Sequence, residues 1–254
     1  MGATITEILG EAERMLDPGR FEDYCVNGLQ VPGAVDVETI ASGVSAQAAL
    51  FELAAQEGAQ LLLVHHGLFW GPGVRAIDRT LRARLKILLD ADIGLAAYHL
   101  PLDAHSELGN NALIGRALGA QRLDPFGRHG GTTIGFLARL PGVGTALGEL
   151  LRQVHELTGR EPLVLGAGPD LVGTLAIVSG AGSDYLEEAA RAGAQALLTG
   201  EPSERVVASA RELGMHVIAA GHYATETFGI RRLGDHLAER FGLRHVFIDV
   251  PNPV

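Results

Sequence analysis

Histidine and carboxylate residues cluster at three points of this sequence, each directly after an apolar run that reads as a buried strand. Imidazole nitrogens suit ions such as Zn, Mn, Fe, Co and Ni. Ligands of open α/β sheets bind at the carboxyl ends of the strands, where these residues fall. The clusters therefore indicate a metal site. They are His65-His66, His99 with Asp103, and His222 with Glu226.

Each cluster taken alone also has an ordinary structural explanation. In the His65-His66 pair, one ring can be buried and hydrogen-bonded while the other faces solvent. Glu226 can cap a helix that begins near Ala224, because carboxylates stabilise helix N-termini. The joint occurrence of three clusters, each after an apolar strand, favours metal binding over these explanations.

The elements that must position the clusters alternate regularly. Apolar strands separated by amphipathic helices are typical of βαβ units around a sheet covered on both faces. Helices are predicted at 4–16, 47–56, 79–90, 110–118, 144–158, 184–192, 203–213 and 224–241. Strands are predicted at 39–43, 60–64, 93–98, 132–140, 162–165, 175–178, 196–199, 216–220 and 246–250.

The second half of the pattern resembles the first in its residues as well as its period. Residues 57–66 align with 192–201, and residues 95–103 align with 218–226, so His99 corresponds to His222 and Asp103 to Glu226. Chance similarity in an alanine-rich chain is the alternative. We predict an α/β protein of two similar lobes related by internal duplication. The predicted bounds are 1–120 and 173–254, with a structured connecting segment at 121–172.

Composition limits the class of protein further. The chain has 254 residues, of which 47% are hydrophobic and 20% charged, and its formal net charge is −10. This acidity argues against a nucleic-acid partner, since phosphate contacts need clustered Lys and Arg. Cys25 stands alone and cannot form an intramolecular disulfide. No apolar run is long enough to span a bilayer, and the N-terminus lacks the pattern of a signal peptide. We expect a soluble cytoplasmic protein.

These motifs together resemble the NIF-three-like family, whose members carry the name GTP cyclohydrolase 1 type 2 homolog. The resemblance extends from residue 27 to residue 226, in the order of the family. The matching runs are Asn27-Gly28-Leu29-Gln30, His65-His66-Gly67-Leu68-Phe69-Trp70, His99 through Asp103, Thr199-Gly200-Glu201 and Gly221-His222-Tyr223-Ala224-Thr225-Glu226. Gly67 stands where the family often has Pro, and Leu100-Pro101 where it often has Thr and a polar residue.

The resemblance implies a ligand set and an assembly. It implies two divalent metal ions per chain, in the cleft between two lobes, with Glu226 able to bridge them. It also implies a toroidal homohexamer. The implied ligands are His65, His66, Asp103, His222 and Glu226.

Several other residues have candidate roles. His99 is expected either to carry protons or to contact the metal ligands without binding the metal itself, with simple packing as the alternative. Glu201 is a candidate base beside the site, with helix capping ahead of Pro202 as the alternative. Asn27 and Gln30 are expected to shape the rim of the cleft. Trp70 is expected to anchor a loop, with stacking on a ring-shaped substrate as the alternative.

The leading functional hypothesis is a metal-dependent hydrolase. Two metals can activate water against an electrophilic carbon or phosphorus. The family name implies attack on the purine ring of GTP, and phosphoester hydrolysis suits the same ligands. The alternative is a metal-binding adaptor or scaffold that forms a ring and has no activity. The sequence has no Walker A run, and 142–144 lacks the dinucleotide fingerprint.

Overall fold

The computed structural model describes residues 2–71 and 76–254, and the chain divides into two compact units. The first unit consists of Met1–Leu102 and Gly229–Pro251, and the second of Asp103–Phe228 and Asn252–Val254. None of the helices in the described ranges is both long and apolar enough to cross a membrane.

Strands and helices alternate along the described residues. The strands are β1 (Ala3–Thr4), β2 (Gly28–Val31), β3 (Asp36–Val37), β4 (Thr39–Ser45), β5 (Leu61–His66), β6 (Gly94–Ala97), β7 (Arg122–His129), β8 (Thr132–Arg139), β9 (Thr145–Ala146), β10 (Leu163–Gly166), β11 (Leu171–Val172), β12 (Thr174–Ile177), β13 (Ala196–Thr199), β14 (His216–Ala219) and β15 (Arg244–Phe247). The helices are α1 (Ile5–Leu16), α2 (Ala48–Gln56), α3 (Arg79–Asp90), α4 (Leu100–Asp103), α5 (Asn110–Ala117), α6 (Leu147–Thr158), α7 (Leu186–Arg191), α8 (Val206–Leu213), α9 (His222–Thr225) and α10 (Thr227–Phe241).

The first unit is built on a five-stranded sheet in the order β15-β4-β5-β6-β2. Strands β15, β4, β5 and β6 are parallel, and β2 is an antiparallel edge strand. Helices α2 and α3 connect β4 to β5 and β5 to β6, as parallel neighbours require. The central strands are buried along their length because their side chains are apolar on both faces. This arrangement brings the carboxyl ends of β5 and β6 side by side.

The second unit contains a six-stranded sheet in the order β10-β14-β13-β12-β8-β7. Its three central strands β12, β13 and β14 are parallel, with β10 and β8 antiparallel on either side. The hairpin of β7 and β8 belongs to this sheet. This unit begins at Asp103, and the division of the chain into lobes at residues 120 and 172 stays a prediction.

Helix α1 shows how local sequence sets an element boundary. Thr4 accepts a hydrogen bond from the backbone of Glu7, and the Glu7 carboxylate accepts one from the backbone of Thr4. This capping box satisfies two N–H groups that the helix itself cannot pair. Asp17 ends the helix in a left-handed conformation at φ 44°. The apolar face of the helix, including Ile8 and Leu16, is buried.

Three elements differ from the predictions made from sequence. Strand β2, which was not among the predicted strands, begins at Gly28, where φ is 92°. Strand β7 contains Pro125, which weakens a strand signal but is tolerated because β7 is an edge strand. The single helix expected at 224–241 is two helices, α9 and α10. Glu226 lies between them and not in a first helical turn.

Candidate metal centre

The first unit places His65 and His66 at the end of strand β5. The His65 side chain is fully buried, and its Nδ1 lies 2.9 Å from the carbonyl oxygen of Tyr98. Because a carbonyl only accepts, Nδ1–H of His65 is the donor in this hydrogen bond. His66 Nδ1 lies 3.2 Å from the hydroxyl of Ser45, the residue opposite it in the β4–β5 ladder.

The rings of His65, His66 and His99 form one cluster in this unit. The ring centroids are 4.8 Å apart for His65 and His66, 5.1 Å for His65 and His99, and 5.5 Å for His66 and His99. One nitrogen of each ring lies within 4.8 Å of one nitrogen of each other ring. Adjacent strand residues normally point to opposite faces. At this strand terminus both histidines instead share a cluster with His99.

Asp23 holds His99 in place and was not singled out by the sequence analysis. Its Oδ1 lies 2.8 Å from His99 Nδ1, and its side chain is 2% exposed. Burial raises the pKa of Asp23, but hydrogen bonds from His99, Asn27 and Cys25 outweigh burial and bring it to about 2. Asn27 also accepts a hydrogen bond from the His99 backbone at 2.8 Å. No spacing signal connects Asp23 with a residue so far along the chain.

The loop after β5 is fixed by Trp70 and Gln30. Trp70 Nε1–H donates to the Gly67 carbonyl at 2.8 Å, and Gln30 Oε1 accepts from the Leu68 backbone at 2.7 Å. A Cβ at Gly67 would lie 2.2 Å from the Gln30 amide nitrogen, so a side chain here would displace the Gln30 amide from its present position. Trp70 thus anchors the loop. Its ring lies edge-to-face with that of His99, at a centroid distance of 5.2 Å.

The second unit contains Asp103, which is 5% exposed. Its Oδ1 accepts hydrogen bonds from the Asn110 amide at 2.8 Å and from the Ser179 hydroxyl at 3.3 Å. Asn111 donates to the Asp103 carbonyl and accepts from the Ser179 backbone. The carboxylate is therefore held in one orientation by buried polar neighbours.

His222, Glu201 and Glu226 form a second group in this unit. Nδ1 of His222 lies 3.1 Å from Glu201, and Nε2 lies 3.3 Å from Glu226, a residue that is 2% exposed. Burial lowers the pKa of His222, but the two carboxylates outweigh burial and raise it to about 9. Helix α8 begins at Val206, so Glu201 contacts His222 and does not cap that helix.

Two glycines allow this close packing. Gly180 has φ 59°, and a Cβ there would lie 2.3 Å from Glu226 Oε1. A Cβ at Gly200 would lie 2.6 Å from the His222 Cα. A side chain at Gly200 would therefore collide with backbone, whereas one at Gly180 would displace the Glu226 carboxylate. The backbone of the loop after β12 runs directly beside that carboxylate.

Groups of His, Asp and Glu side chains that could hold a metal ion occur among the described residues. The donors are imidazole nitrogens and carboxylate oxygens, the set that Zn and other borderline divalent ions prefer. Outer hydrogen bonds of the kind seen at His65, His99 and Asp103 are common around metal ligands. The chemistry of the residues thus fits a divalent metal.

Other histidines have structural surroundings. His245 lies between Ser42, 2.8 Å from Nε2, and Asp235, 2.7 Å from Nδ1. His216 contacts the backbone of Gly168 and Pro169 through its two nitrogens. Both rings have each nitrogen beside a partner within the protein.

The chain is similar to known proteins along almost its whole length. The family model described as Duf34/NIF3 (NGG1p interacting factor 3) matches residues 3–253. A Pseudomonas aeruginosa protein named GTP cyclohydrolase 1 type 2 homolog is 43% identical, covering 100% of both chains. An Escherichia coli protein of the same name is 42% identical over 98% of both. The crystal structure of TTHA1606 from Thermus thermophilus is 38% identical, with TM-score 0.91, covering 99% of this chain and 100% of that one.

Proposed function

Because the chain belongs to the Duf34/NIF3 family, we propose that it is a metal-dependent hydrolase with two divalent ions per chain. The proposed ligands are the five residues that match the family motifs. When bound, the ions would supply Lewis acidity for the attack of water on an electrophilic carbon or phosphorus. The ligands are His65, His66, Asp103, His222 and Glu226.

The burial of these ligand candidates carries the proposal. His65 is fully buried, while Asp103 and Glu226 are 5% and 2% exposed. Burying carboxylates is costly unless they are paired, hydrogen-bonded or bound to metal. A protein that only needed packing at these positions would be more stable with apolar residues there. The presence of charged and imidazole side chains at these buried positions supports a functional demand for them.

Glu201 and His99 complete the proposed site without being among its five ligands. Glu201 accepts a hydrogen bond from His222 Nδ1, so it orients the ring and favours Nε2 as the ligating nitrogen. It is also the proposed base beside the site. The His99 ring lies 5.1 Å from that of His65 and 5.5 Å from that of His66 between centroids, and His99 is the proposed proton carrier of the site.

The substrate class rests on the names of the relatives. GTP is therefore the first substrate to test, with water opening the imidazole part of the purine ring. Phosphoesters are the second class, because the same ligands can position a phosphoryl group. The cytoplasm is the proposed location, and the single buried cysteine, which has no disulfide partner in the chain, is compatible with a reducing compartment.

Metal analysis followed by activity screening tests the proposal. The full chain should be purified without an affinity tag or added metal, and its metal content measured by mass spectrometry. We expect two divalent ions per chain after reconstitution, together with hydrolysis of GTP or a phosphoester that a chelator abolishes. A chain that binds fewer than two ions, or is equally active without them, contradicts the proposal.

A second candidate is a metal-binding scaffold without catalytic activity. The proposed ligands include no serine, threonine or cysteine nucleophile, and Cys25 is buried. Full metal loading with no turnover of either substrate class would favour this alternative. The proposed hexamer would then serve as a binding platform.

A further inference from the structure

Trp70 lies in a short antiparallel ribbon formed by two loops of the first unit. It pairs with Cys25 in an isolated β-bridge, and the Val26 N–H donates to the Phe69 carbonyl at 3.1 Å. The indole N–H of Trp70 donates to the Gly67 carbonyl at 2.8 Å. Backbone and side-chain hydrogen bonds together fix the position of the indole, so little conformational entropy is lost when a ligand contacts it.

The indole lies beside the candidate site and is partly open to solvent. Its centroid is 5.8 Å from that of the His66 ring and 5.2 Å from that of the His99 ring. Trp70 is 43% exposed. Exposure by itself is ordinary, since Leu89 in the same unit is 60% exposed. What distinguishes Trp70 is that its exposed aromatic surface adjoins a proposed ligand and the proposed proton carrier.

The chemistry of this surface selects one kind of ligand. The indole N–H is the only polar donor of the side chain, and the Gly67 carbonyl already accepts it. The exposed part therefore offers hydrocarbon and π surface, which binds a flat ring by stacking and has no donor for a phosphoryl group. Aromatic rings stack at centroid distances of about 4.5–7 Å, so a ring held on Trp70 would be a neighbour of His66.

We infer that Trp70 is the specificity-determining residue of the site and that it stacks on a planar heteroaromatic ring such as a purine base. The inference rests on the proposed metal-dependent hydrolase and narrows its substrate class. Of the two classes proposed, it favours a ring-containing substrate over a phosphoester that has no ring. The loop hydrogen bond and the stacking surface belong to different parts of one side chain, so substitution can separate them.

Fluorescence reports this contact directly, because Trp70 is the only tryptophan of the chain. Guanosine, which has a purine ring and no phosphate, should quench the emission of the full chain in its metal-free or zinc-loaded form. Ribose, which lacks the base, should not. Emission that stays constant while calorimetry shows saturation with guanosine would overturn the inference, as would the absence of guanosine binding in both forms.

Two substitutions separate stacking from loop anchoring. Trp70→Ala removes the ring and should weaken guanosine binding about 5- to 150-fold, the usual effect of losing one stack between a base and an aromatic side chain. Trp70→Phe keeps a flat ring but has no N–H for the Gly67 carbonyl, and it should retain most of the affinity. An equal loss in both variants would assign the effect to the hydrogen bond and overturn the inference.

Inorganic phosphate is the second probe, because it has no ring to stack. If the loop collapsed in Trp70→Ala, His66 beside it would be disturbed, and phosphate binding to the zinc-loaded chain would weaken together with guanosine binding. We expect the phosphate affinity to stay at the native value while the guanosine affinity falls. Equal losses for the two probes would show a structural role and overturn the inference.

Tyr24 provides the matched control in the same ribbon. Directly opposite residues of an antiparallel pair share a face, and successive residues alternate, so Tyr24 lies on the face away from Cys25 and Trp70. Tyr24 is 74% exposed, and its carbonyl accepts from the Gly71 backbone at 2.6 Å. Tyr24→Ala should leave both affinities unchanged. A loss of guanosine affinity equal to that of Trp70→Ala would overturn the assignment to Trp70.

Failure of this inference and failure of the proposed function give different results. Two ions per chain with hydrolysis, together with native guanosine affinity in Trp70→Ala, would overturn the inference and leave the proposed function intact. A native chain that binds no metal contradicts the proposed function. A guanosine affinity of the metal-free chain that depends on Trp70 would still assign the ring-binding role to this residue.

Discussion

At the scale of single residues, the contacts of Glu226 bear most directly on the proposed metal site. It lies at the junction of α9 and α10, is 2% exposed, and contacts His222 at 3.3 Å. The same histidine contacts Glu201 through its other nitrogen. The two carboxylates therefore have different proposed roles on one ring, and substitution can separate them.

Replacing Glu226 with Gln should weaken metal binding more than replacing Glu201 with Gln. The amide retains one oxygen but loses the charge, so it is a poor bridge between two ions. Glu201→Gln removes only an outer partner and should cost about 10- to 100-fold in affinity. Competition with a chelator of known affinity measures both constants. If Glu226→Gln retains two ions at native affinity, the bridging role is wrong.

Gly180 allows a second test at this scale. Ala at Gly180 combines a left-handed φ of 59° with a Cβ 2.3 Å from Glu226 Oε1. We expect it to displace the carboxylate and reduce metal content, while the backbone strain costs about 1–2 kcal/mol of stability. Gly142, at φ 60° with no heavy atom within 4 Å of an added Cβ, is the matched control.

Gly142→Ala should therefore lose a similar amount of stability and keep its metal. Urea unfolding gives the stability of both variants, and mass spectrometry gives their metal content. Equal metal content in the two variants would show that the contact at Gly180 does not position Glu226.

At the scale of elements, His245 connects three parts of the first unit. It lies on β15 and contacts Ser42 on β4 and Asp235 on α10. An added Cβ at Gly234 would lie 2.2 Å from His245 Nε2, so α10 approaches the ring closely. Burial lowers the pKa of His245 below its ordinary value of 6.5, although Asp235 opposes the shift and Arg231 adds to it.

This lowered pKa predicts an acid-sensitive fold. As pH falls below 6.5, the unfolded chain binds a proton at this position before the folded chain does, so the free energy of unfolding decreases. The loss ends once pH has passed the folded pKa. Urea unfolding of the metal-free chain above and below pH 6.5 should show a smaller decrease in His245→Gln than in the native chain.

Asp235→Asn is informative in the opposite direction. It removes the carboxylate that favours the charged ring, so the folded pKa should fall further and the acid-induced loss should increase. An identical decrease in the native chain and both variants would assign the pH dependence to other groups.

Each of the two sheets contains three adjacent parallel strands that follow one another in the chain. Three parallel strands connected by helices occur as β4-β5-β6 in the first unit and as β12-β13-β14 in the second, in the same order. This order supports the proposed duplication of the lobes at 1–120 and 173–254.

In a crystal structure of the metal-loaded chain, superposing residues 40–118 on 174–241 should place His99 on His222 and Asp103 on Glu226. Different partners at these positions would make the repeat coincidental.

At the scale of the whole molecule, the proposed assembly is a homohexamer. Light scattering at micromolar concentration should give about six times the 26.7 kDa mass of one chain. Removing the metal with a chelator provides a comparison that shows whether assembly depends on the ions. A monomeric mass in both conditions contradicts the hexamer while leaving the metal proposal intact.

The sequence alone determined the α/β class and the candidate ligands. Strand and helix periods are local properties, because side chains alternate every two residues in one and about every 3.6 in the other. The strand ends at His66 and before His99 and His222 followed from apolar runs that stop at polar residues. The prediction of a metal site followed from residue type, because three clusters of imidazole and carboxylate groups occur at strand ends.

Only the tertiary structure decided which side chains and backbone groups hydrogen-bond to the candidate site residues. Asp23 and His99 are distant in the chain, and no local pattern predicts that a buried carboxylate will meet that ring. The helix breaks at Glu226, and the backbone of Gly180 lies beside its carboxylate with a left-handed φ that the residue type alone does not predict. Contacts between distant residues form only when each sheet brings its own strand ends together. The tautomer and the ring orientation of each histidine are therefore properties of the fold.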